Sequence, residues 1–220
     1  MIGCLCVYNE ARMIERAIAS LQGCERLIVV DGAYADYPGI DIERPGSTDG
    51  TLDLICVLRP DAEIIEAAEL WPGQAKKRNR YLVGGAGDWY IVLDGDEQAL
   101  GLESLKALIR QIDGDRKARE VIGWIEVCIS RSGRERYIYS GHRAFRHVDG
   151  LHYLENHHDL RDARRGVTAP ILGRSIDMSC CTWRSAWLPR DEFQILHFKD
   201  ERPEERLEQQ ALYYRTRTWR

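Results

Sequence analysis

The chain has 220 residues, of which 44% are hydrophobic and 30% are charged, and this size and composition fit one globular domain with a substantial core. The longest unbroken apolar runs, LIVV and WYIVL, are too short to cross a membrane, and the start MIGCLCVYNE lacks the basic segment of a signal peptide. The seven cysteines form no CxxC pair, which predicts reduced thiols and a cytoplasmic location.

Strand-like and helix-like segments alternate over residues 1–120. The predicted strands are IGCLCVY, RLIVVD, AEIIEA and DWYIVLD, and the predicted helices lie in NEARMIERAIASLQGC, STDGTLDLICVL, PGQAKKRNRYLVG and LESLKALIRQID. In the second helix, Ser47-Thr48-Asp49 is typical of a side-chain cap. This alternation predicts a mostly parallel, doubly wound α/β sheet with helices on both faces.

The pattern becomes less regular beyond residue 120. EVIGWIEVCIS and RERYIYS predict a β-hairpin around Ser132-Gly133, PEERLEQQALYYRTRTW predicts a closing helix, and residues 141–196 show no clear pattern. We therefore predict a single domain over residues 1–220, with an irregular C-terminal portion.

The net charge of −4 is unevenly distributed, with −8 over residues 1–130 and +4 over residues 131–220. The second part is rich in arginine and aromatic residues, as in RSGRERYIYSGHRAFRH and YYRTRTWR. Such a composition suits contact with saccharides, and it suits the backbone and bases of a nucleic acid equally well.

Three predicted strands end on polar residues, at Tyr8-Asn9-Glu10, at Asp31 and at Asp94-Gly95-Asp96. In an open parallel sheet, ligands bind beyond the carboxyl ends of the strands, so we expect these residues to share one site. The phrase IVLDGDE offers two carboxylates separated by a glycine, which suits Mg²⁺ or Mn²⁺ completed by phosphate oxygens and water.

Several phrases together resemble the family 2 glycosyltransferases with the GT-A fold. They are CVYNEARMIERAIASL, LIVVDG, GSTDGT, KKRN, GDWYIVLDGDE and a late LHF, which follow one another in the family's order. The match is good over residues 2–98 and loose over residues 142–200. It implies a three-layer α/β/α sandwich with a Rossmann-like sheet, in which residues 1–98 bind a nucleotide sugar and residues 99–220 form the acceptor side.

The resemblance implies a nucleotide-diphosphate sugar donor, a UDP-sugar being the first expectation, and a Mn²⁺ or Mg²⁺ ion. The implied donor-binding residues are Val7, Tyr8, Glu10, Asp31, Lys77, Arg78, Asp94 and Gly95. Asp96 and His197 would bind the metal, and Asp94 would touch either the ribose or the metal. Without the resemblance, the charge run Lys76-Lys77-Arg78 predicts a solvated helix face, and the apolar surroundings of His197 predict a core histidine.

An inverting transfer needs a carboxylate that takes the proton of the acceptor hydroxyl. The family places this acid after a late histidine, and HYLENHHDL offers two candidates. Asp159 matches the order of histidine and acid, whereas Glu155 matches the family's residue type. We expect Asp159 slightly more than Glu155.

The sequence leaves the acceptor open between a saccharide or small molecule and a hydroxylated base in DNA, as in some viral glycosyltransferases. A nucleotidyltransferase is an alternative, although VYNEARMIERA lacks the glycine-rich loop expected after its first strand. A third hypothesis is a non-catalytic module of the same fold that binds a sugar or a nucleic acid.

The segment AYADYPGIDIERP separates LIVVDG from GSTDGT, two phrases that are nearly contiguous in the family. We interpret it as an insertion beside the donor site. Asp31 would then still end its strand in the nucleotide pocket.

Overall fold

The computed structural model describes residues 1–220 with the exception of 36, 38–39, 41–42, 86–87, 115–120, 132–133, 148–150, 154–159, 163–166, 170–183, 190, 199–200 and 217–220. The described residues form one large mixed sheet, one small sheet and five α-helices. None of these helices is long and apolar enough to span a bilayer.

Twelve strands lie in the described parts of the chain. They are β1 (Ile2–Val7), β2 (Arg26–Asp31), β3 (Glu63–Ile65), β4 (Trp89–Asp94), β5 (Glu97–Leu100), β6 (Val121–Arg131), β7 (Arg134–Arg146), β8 (Leu151–Tyr153), β9 (Leu160–Asp162), β10 (Val167–Ala169), β11 (Arg184–Trp187) and β12 (Gln194–His197). The large sheet has the order β3-β2-β1-β4-β7-β6-β12-β5, with β11 paired to β6, and β8, β9 and β10 form the small antiparallel sheet.

Most strand pairings of the large sheet are parallel, as the sequence predicts. Strands β3, β2, β1 and β4 run parallel to one another, and β12 and β11 run parallel to β6. Strand β7 is antiparallel to both β4 and β6, so the predicted hairpin extends the sheet into the C-terminal portion.

The helices are α1 (Ile14–Ser20), α2 (Thr51–Leu58), α3 (Gln74–Arg78), α4 (Leu102–Gly114) and α5 (Glu204–Thr216), and a 3-10 turn over Asn79–Tyr81 continues α3. Strand side chains alternate between two apolar layers, because successive residues point to opposite faces. In β4, Ile91 and Leu93 pack beneath α1, α2 and α4, whereas Tyr90 and Val92 pack towards α3 and β8. Helices α1, α2 and α4 therefore lie on one face of the large sheet, and α3 and β8 lie on the other.

Two local features differ from the sequence prediction. Helix α2 begins after Gly50, which has a φ of 89°; of the predicted cap residues, Asp49 accepts from the N–H of Thr51, the first helical residue, at 3.1 Å, whereas Ser47 bonds Asp31. Residues Glu97–Leu100 form β5, which the sequence analysis did not predict. The strand exists because β12 pairs with it antiparallel, placing His197 opposite Glu97.

Candidate active site

The loop after β2 returns to the end of its own strand. The Ser47 backbone N–H donates to Oδ2 of Asp31 at 2.8 Å, and the Ser47 hydroxyl donates to Oδ1 at 2.5 Å. Asp31 is fully buried. The two phrases that the insertion separates in sequence are therefore adjacent in space, as the interpretation of an insertion requires.

The two ends of the insertion, Ala33 and Pro45, are hydrogen bonded to each other, and we call this junction the neck. The Ala33 N–H donates to the Pro45 carbonyl at 2.8 Å, and the Trp71 indole N–H donates to the Asp31 carbonyl at 2.6 Å. Gly32 sits between these contacts with a φ of 112°, and a Cβ there would lie 2.3 Å from the Ala67 Cβ. This crowding and the positive φ require glycine at the neck.

The same loop also fixes the end of β1. The Asn9 N–H donates to the Ser47 hydroxyl, and the Asn9 side-chain oxygen accepts from the Thr48 N–H, both at 2.8 Å. The Glu10 N–H donates to the Thr51 hydroxyl at 2.8 Å. We call these contacts among Asn9, Glu10, Asp31, Ser47, Thr48 and Thr51 the hydroxyl clasp. It holds the ends of β1 and β2 side by side at the carboxyl edge of the sheet.

Lys77 and Arg78 lie in the interior, not on a solvated helix face. The Lys77 ammonium donates to the carbonyls of Val7 and Gly32, both at 2.6 Å, and stands over the Tyr34 ring. Burial lowers the pKa of Lys77, and the neighbouring carboxylates oppose this effect. Lys77 therefore joins β1 to the β2 loop. The predicted pocket residue Val7 packs its side chain into the core.

Arg78 faces the end of β4. Its guanidinium lies 2.6 Å from Oδ1 of Asp94, and its Nε is buried without a hydrogen-bond partner in the described part of the chain. The Asp94 side chain is 31% exposed, whereas that of Asp96 is fully buried. Burial opposes ionisation of Asp94, but the charges of Arg78 and Arg143 outweigh it and lower its pKa.

Asp96 contacts two basic side chains that are distant in sequence. Its Oδ2 lies 3.0 Å from Nε2 of His197 and 2.8 Å from the Arg202 guanidinium. Burial alone would raise the pKa of Asp96, but His197 and Arg202 lower it well below its usual range. Burial likewise disfavours the charged form of His197, yet the contact with Asp96 raises its pKa. Oδ1 of Asp96 is buried and has no partner among the described residues.

Glu10 lies across Arg202 from Asp96. Arg202 and Arg206 lie 3.9 and 3.6 Å from its Oε1, and burial raises its pKa to about 7 against the effect of both arginines. Gly95 lets this side chain approach, because a Cβ at Gly95 would lie 2.8 Å from Cγ of Glu10. Glu10 therefore lies beside the Asp94-Gly95-Asp96 turn, as the shared-site prediction expects.

Arg206, on α5, is positioned against two tyrosines. Its guanidinium donates to the Tyr8 carbonyl at 3.0 Å and stands over the rings of Tyr8 and Tyr37, 5.1 and 5.4 Å from their centroids. Tyr37 belongs to the insertion. The insertion, the end of β1 and the C-terminal helix thus meet at one guanidinium.

Four further residues of the site, Glu97, Arg143, Arg202 and Arg206, were not predicted from the sequence. Glu97 is fully buried, pairs with the Arg143 guanidinium, and accepts from the Asp94 N–H at 2.8 Å. Burial raises the pKa of Glu97, and Arg143 opposes the shift. Glu97 could have been found, because it directly follows Asp96 in LDGDE. The three arginines could not, because β7 and the C-terminal segment carry them to the site from distant parts of the chain.

A metal at this site would have few protein ligands. Asp96 and His197 face one another, and the unpartnered Oδ1 of Asp96 supplies a further oxygen. Asp94 is not gathered with them, since the described residues contain no group of three metal-ligating side chains. Two protein ligands still fit Mn²⁺ or Mg²⁺, which commonly take their remaining ligands from phosphates and water.

The candidate acids Glu155 and Asp159 lie outside the described residues, but the strands on either side of them are described. Tyr153 ends β8, Leu160 begins β9, and the two pair across the small sheet. The Tyr153 ring lies 6.0 Å from the guanidinium carbon of Arg78. The described end of β8 therefore lies on the Arg78 side of the site.

No family model matches the chain, and no curated protein matches it significantly in sequence. Among solved structures, TarS 1–349 of S. aureus matches 96% of this chain with a TM-score of 0.53 at 16% identity, and 63% of the TarS chain is covered. This likeness shows that the chain has the three-layer α/β fold of GT-A glycosyltransferases, as expected from the sequence.

Two further structures match smaller parts of the chain. TarS 1–349 in complex with UDP-GlcNAc matches 62% of this chain and 36% of its own, with a TM-score of 0.42 at 20% identity. Glucosyl-3-phosphoglycerate synthase from Mycobacterium tuberculosis, in complex with Mn²⁺, UDP and glucosyl-3-phosphoglycerate, matches 60% of this chain and 44% of its own, with a TM-score of 0.39 at 20% identity. The chain thus spans less than two thirds of each of these proteins.

Proposed function

We propose that this protein is a metal-dependent family 2 glycosyltransferase that moves a sugar from a UDP-sugar to an acceptor hydroxyl with inversion. The observation that carries the proposal is the buried Asp96, which meets His197 and Arg202 at the carboxyl edge of a GT-A type sheet. Ligands of open α/β sheets bind at this edge.

Asp96 and His197 are the residues that would hold Mn²⁺ or Mg²⁺, and Asp94, which is not grouped with them, would contact the donor ribose. A divalent cation bound there neutralises charge on the leaving nucleoside diphosphate. Asp96 is suited to the task because its contacts keep it ionised even though it is buried.

Three arginines supply the complementary charge for the diphosphate. Arg78, Arg202 and Arg206 approach Asp94, Asp96 and Glu10 from different elements, and guanidinium groups bind phosphate oxygens in a bidentate manner. Positive groups fixed where negative charge develops stabilise a transition state. In our proposal Tyr8 and Asp31 border the base of the nucleotide, and TarS, whose fold this chain shares, has been crystallised with UDP-GlcNAc.

The proton of the acceptor hydroxyl passes, in this proposal, to a carboxylate of the segment between β8 and β9. Asp159 is our first candidate and Glu155 the second. Attack on the anomeric carbon from the face opposite the diphosphate then gives inversion, with the acid acting as general base.

The acceptor is either a saccharide or small molecule, or a hydroxylated base in DNA. The positive charge of residues 131–220 and their aromatic residues support both. Transfer from the same donor to a panel of sugars and to hydroxymethylated DNA, with unmodified DNA as the control, separates the two. Transfer to saccharide alone would remove the DNA hypothesis.

Binding and turnover of the donor test the function as a whole. We expect calorimetry to show UDP binding that tightens in Mn²⁺, and slow hydrolysis of a UDP-sugar that EDTA abolishes. Asp159→Asn is expected to lower transfer at least 100-fold while UDP binding is kept, and Glu155→Gln is expected to lower it less. Absence of UDP binding with and without Mn²⁺ would refute the proposal.

A further inference from the structure

Glu97 is a buried carboxylate beside the Asp94-Gly95-Asp96 turn. Its Oε2 accepts from the Asp94 N–H at 2.8 Å, and its Oε1 pairs with the guanidinium of Arg143 on β7. Glu97 is fully buried, and pairing with a guanidinium favours the ionised form of a buried carboxyl group. A negative charge is therefore held next to the turn, on a residue for which the proposed function has no role.

His197 lies between two carboxylates, one at each ring nitrogen. Antiparallel pairing of β12 with β5 places His197 opposite Glu97, and its Nδ1 lies 3.8 Å from Oε1 of Glu97. On the other side, Nε2 lies 3.0 Å from Oδ2 of Asp96. Nδ1 is buried and has no hydrogen-bond partner in the described part of the chain. The contact with Glu97 is longer than a hydrogen bond, so Glu97 acts on Nδ1 through its charge.

The two ring nitrogens of a metal-binding histidine have different tasks. A neutral imidazole carries one N–H and one lone pair, and a cation binds the nitrogen with the lone pair. The charge of Glu97 favours the proton on Nδ1, whereas Asp96 attracts the same proton to Nε2. Without Glu97, the proton would therefore occupy the nitrogen that a cation at Asp96 needs. Metal-binding histidines typically have such a partner at the second nitrogen, which fixes the ring and raises metal affinity.

We propose that Glu97 is a positioning residue for the metal site, because it holds the ring proton of His197 on Nδ1 and keeps Nε2 available to a divalent cation at Asp96. This inference rests on the proposed glycosyl transfer. Glu97 does not bind the cation itself in this proposal, since its two oxygens contact the Asp94 N–H and Arg143. The resemblance to the family assigned no role to Glu97.

The first test replaces Glu97 with glutamine. Glu97→Gln keeps an oxygen acceptor for the Asp94 N–H and removes the negative charge, so we expect the Kd for Mn²⁺ in the presence of UDP to rise about 10- to 100-fold in calorimetry. The Kd for UDP measured in EDTA should stay within about twofold of the wild type. Glu103→Gln makes the same change at an exposed carboxylate paired with Lys106 on α4, and it should leave both constants within about twofold.

The second test asks whether Glu97 acts through His197. In a His197→Ala background the ring is absent, so Glu97→Gln should change the Kd for Mn²⁺ by less than about twofold. A role only in the shape of the turn would give the same loss in both backgrounds. If Glu97→Gln does not fold, Glu97→Asp decides, because it keeps the charge for Arg143 on a side chain shorter by one methylene. We expect Glu97→Asp to weaken Mn²⁺ binding about three- to tenfold, and only where His197 is present.

Two results would overturn the positioning role. They are an unchanged Kd for Mn²⁺ in Glu97→Gln, and equal losses with and without His197. A wild-type protein that binds UDP with no effect of Mn²⁺, or does not bind UDP at all, would refute the proposed function and remove the basis of this inference. That comparison uses the wild type alone, so the two failures are distinguishable.

Discussion

Two regions at the same edge of the sheet bury carboxylates in different ways. At the end of β2, Asp31 is held by the hydroxyl and the backbone N–H of Ser47 within the hydroxyl clasp. Just beyond β4, Asp96 is held by the side chains of His197 and Arg202. The first carboxylate is bound by neutral donors from a neighbouring loop, and the second by an arginine and a histidine from the C-terminal part of the chain.

The difference separates a carboxylate that is fixed beside the proposed nucleotide base, Asp31, from one that is available to a metal ion and a diphosphate, Asp96. Neutral hydrogen bonds within a loop fix the backbone, and they offer little to an incoming anion or cation. Ionic partners can be exchanged, because a diphosphate competes for the arginine and a divalent cation competes for the carboxylate. We therefore expect substitutions at β4 to affect turnover and substitutions in the clasp to affect stability.

The largest effect on turnover is expected from Asp96→Asn. The amide has no charge to hold a divalent cation or to pair with Arg202, and loss of one such transition-state contact typically costs about 10²- to 10³-fold in rate. We expect UDP-sugar turnover to fall about 10³-fold in a steady-state assay with Mn²⁺. Asp61→Asn, which changes an exposed carboxylate paired with Arg59, is the control and should retain wild-type turnover. A loss below tenfold in Asp96→Asn would place the metal elsewhere.

An intermediate effect is expected from Arg202→Ala. If Arg202 moves from Asp96 to the diphosphate, its loss removes charge-assisted hydrogen bonds worth about 1.5–3 kcal/mol, and UDP should bind about 10- to 100-fold more weakly. Calorimetry with UDP and Mn²⁺ measures this. Arg16→Ala removes the nearby pair with Glu201, which is about 40% exposed on both sides, and should change the affinity less than twofold. Equal affinities in the two variants would show that Arg202 only neutralises Asp96.

The smallest effect on turnover is expected from Ser47→Ala. It leaves Oδ1 of the buried Asp31 and the Asn9 N–H without their hydroxyl partner, so the free energy of unfolding should fall by about 1–3 kcal/mol in urea titrations. Turnover at a temperature where the variant is folded should stay within about threefold. Ser20→Ala, which loses only a bond to the Ala17 carbonyl within α1, should change stability by less than about 0.5 kcal/mol. A turnover loss as large as that of Asp96→Asn would erase the distinction between the two regions.

The core strands could be predicted from the sequence because they are encoded locally. The runs that form β1, β2 and β4 are continuous and apolar, as strands buried on both faces require, and each ends on a polar residue at the carboxyl edge. The same logic placed Glu10, Asp31, Asp94 and Asp96 at one edge.

The rest depended on long-range pairing. Strand β5 has the sequence EQAL, which carries little local preference for a strand, and it is fixed by antiparallel pairing with β12. Likewise Arg143 reaches Glu97 because β7 pairs with β4, and Arg202 reaches Asp96 from 106 residues away in the chain. Local patterns contain no information about such contacts.

Lys77 shows a different reason for failure. A run of three basic residues is usually a solvated surface, yet the carbonyls at the ends of β1 and β2 leave acceptors that a buried ammonium can satisfy. The sequence of α3 alone does not distinguish these cases.

The neck of the insertion allows the inserted segment to vary in length and sequence without a change in the strands below it. Residues 34–44 leave and rejoin the scaffold at Ala33 and Pro45, which are hydrogen bonded to each other, while the clasp beneath them is closed by Ser47 and Asp31. The entropy cost of closing a loop rises by only about 0.6 kcal/mol for each doubling of its length. We therefore expect the neck to accept a segment of another length or composition in place of the insertion, while the clasp keeps the ends of β1 and β2 together.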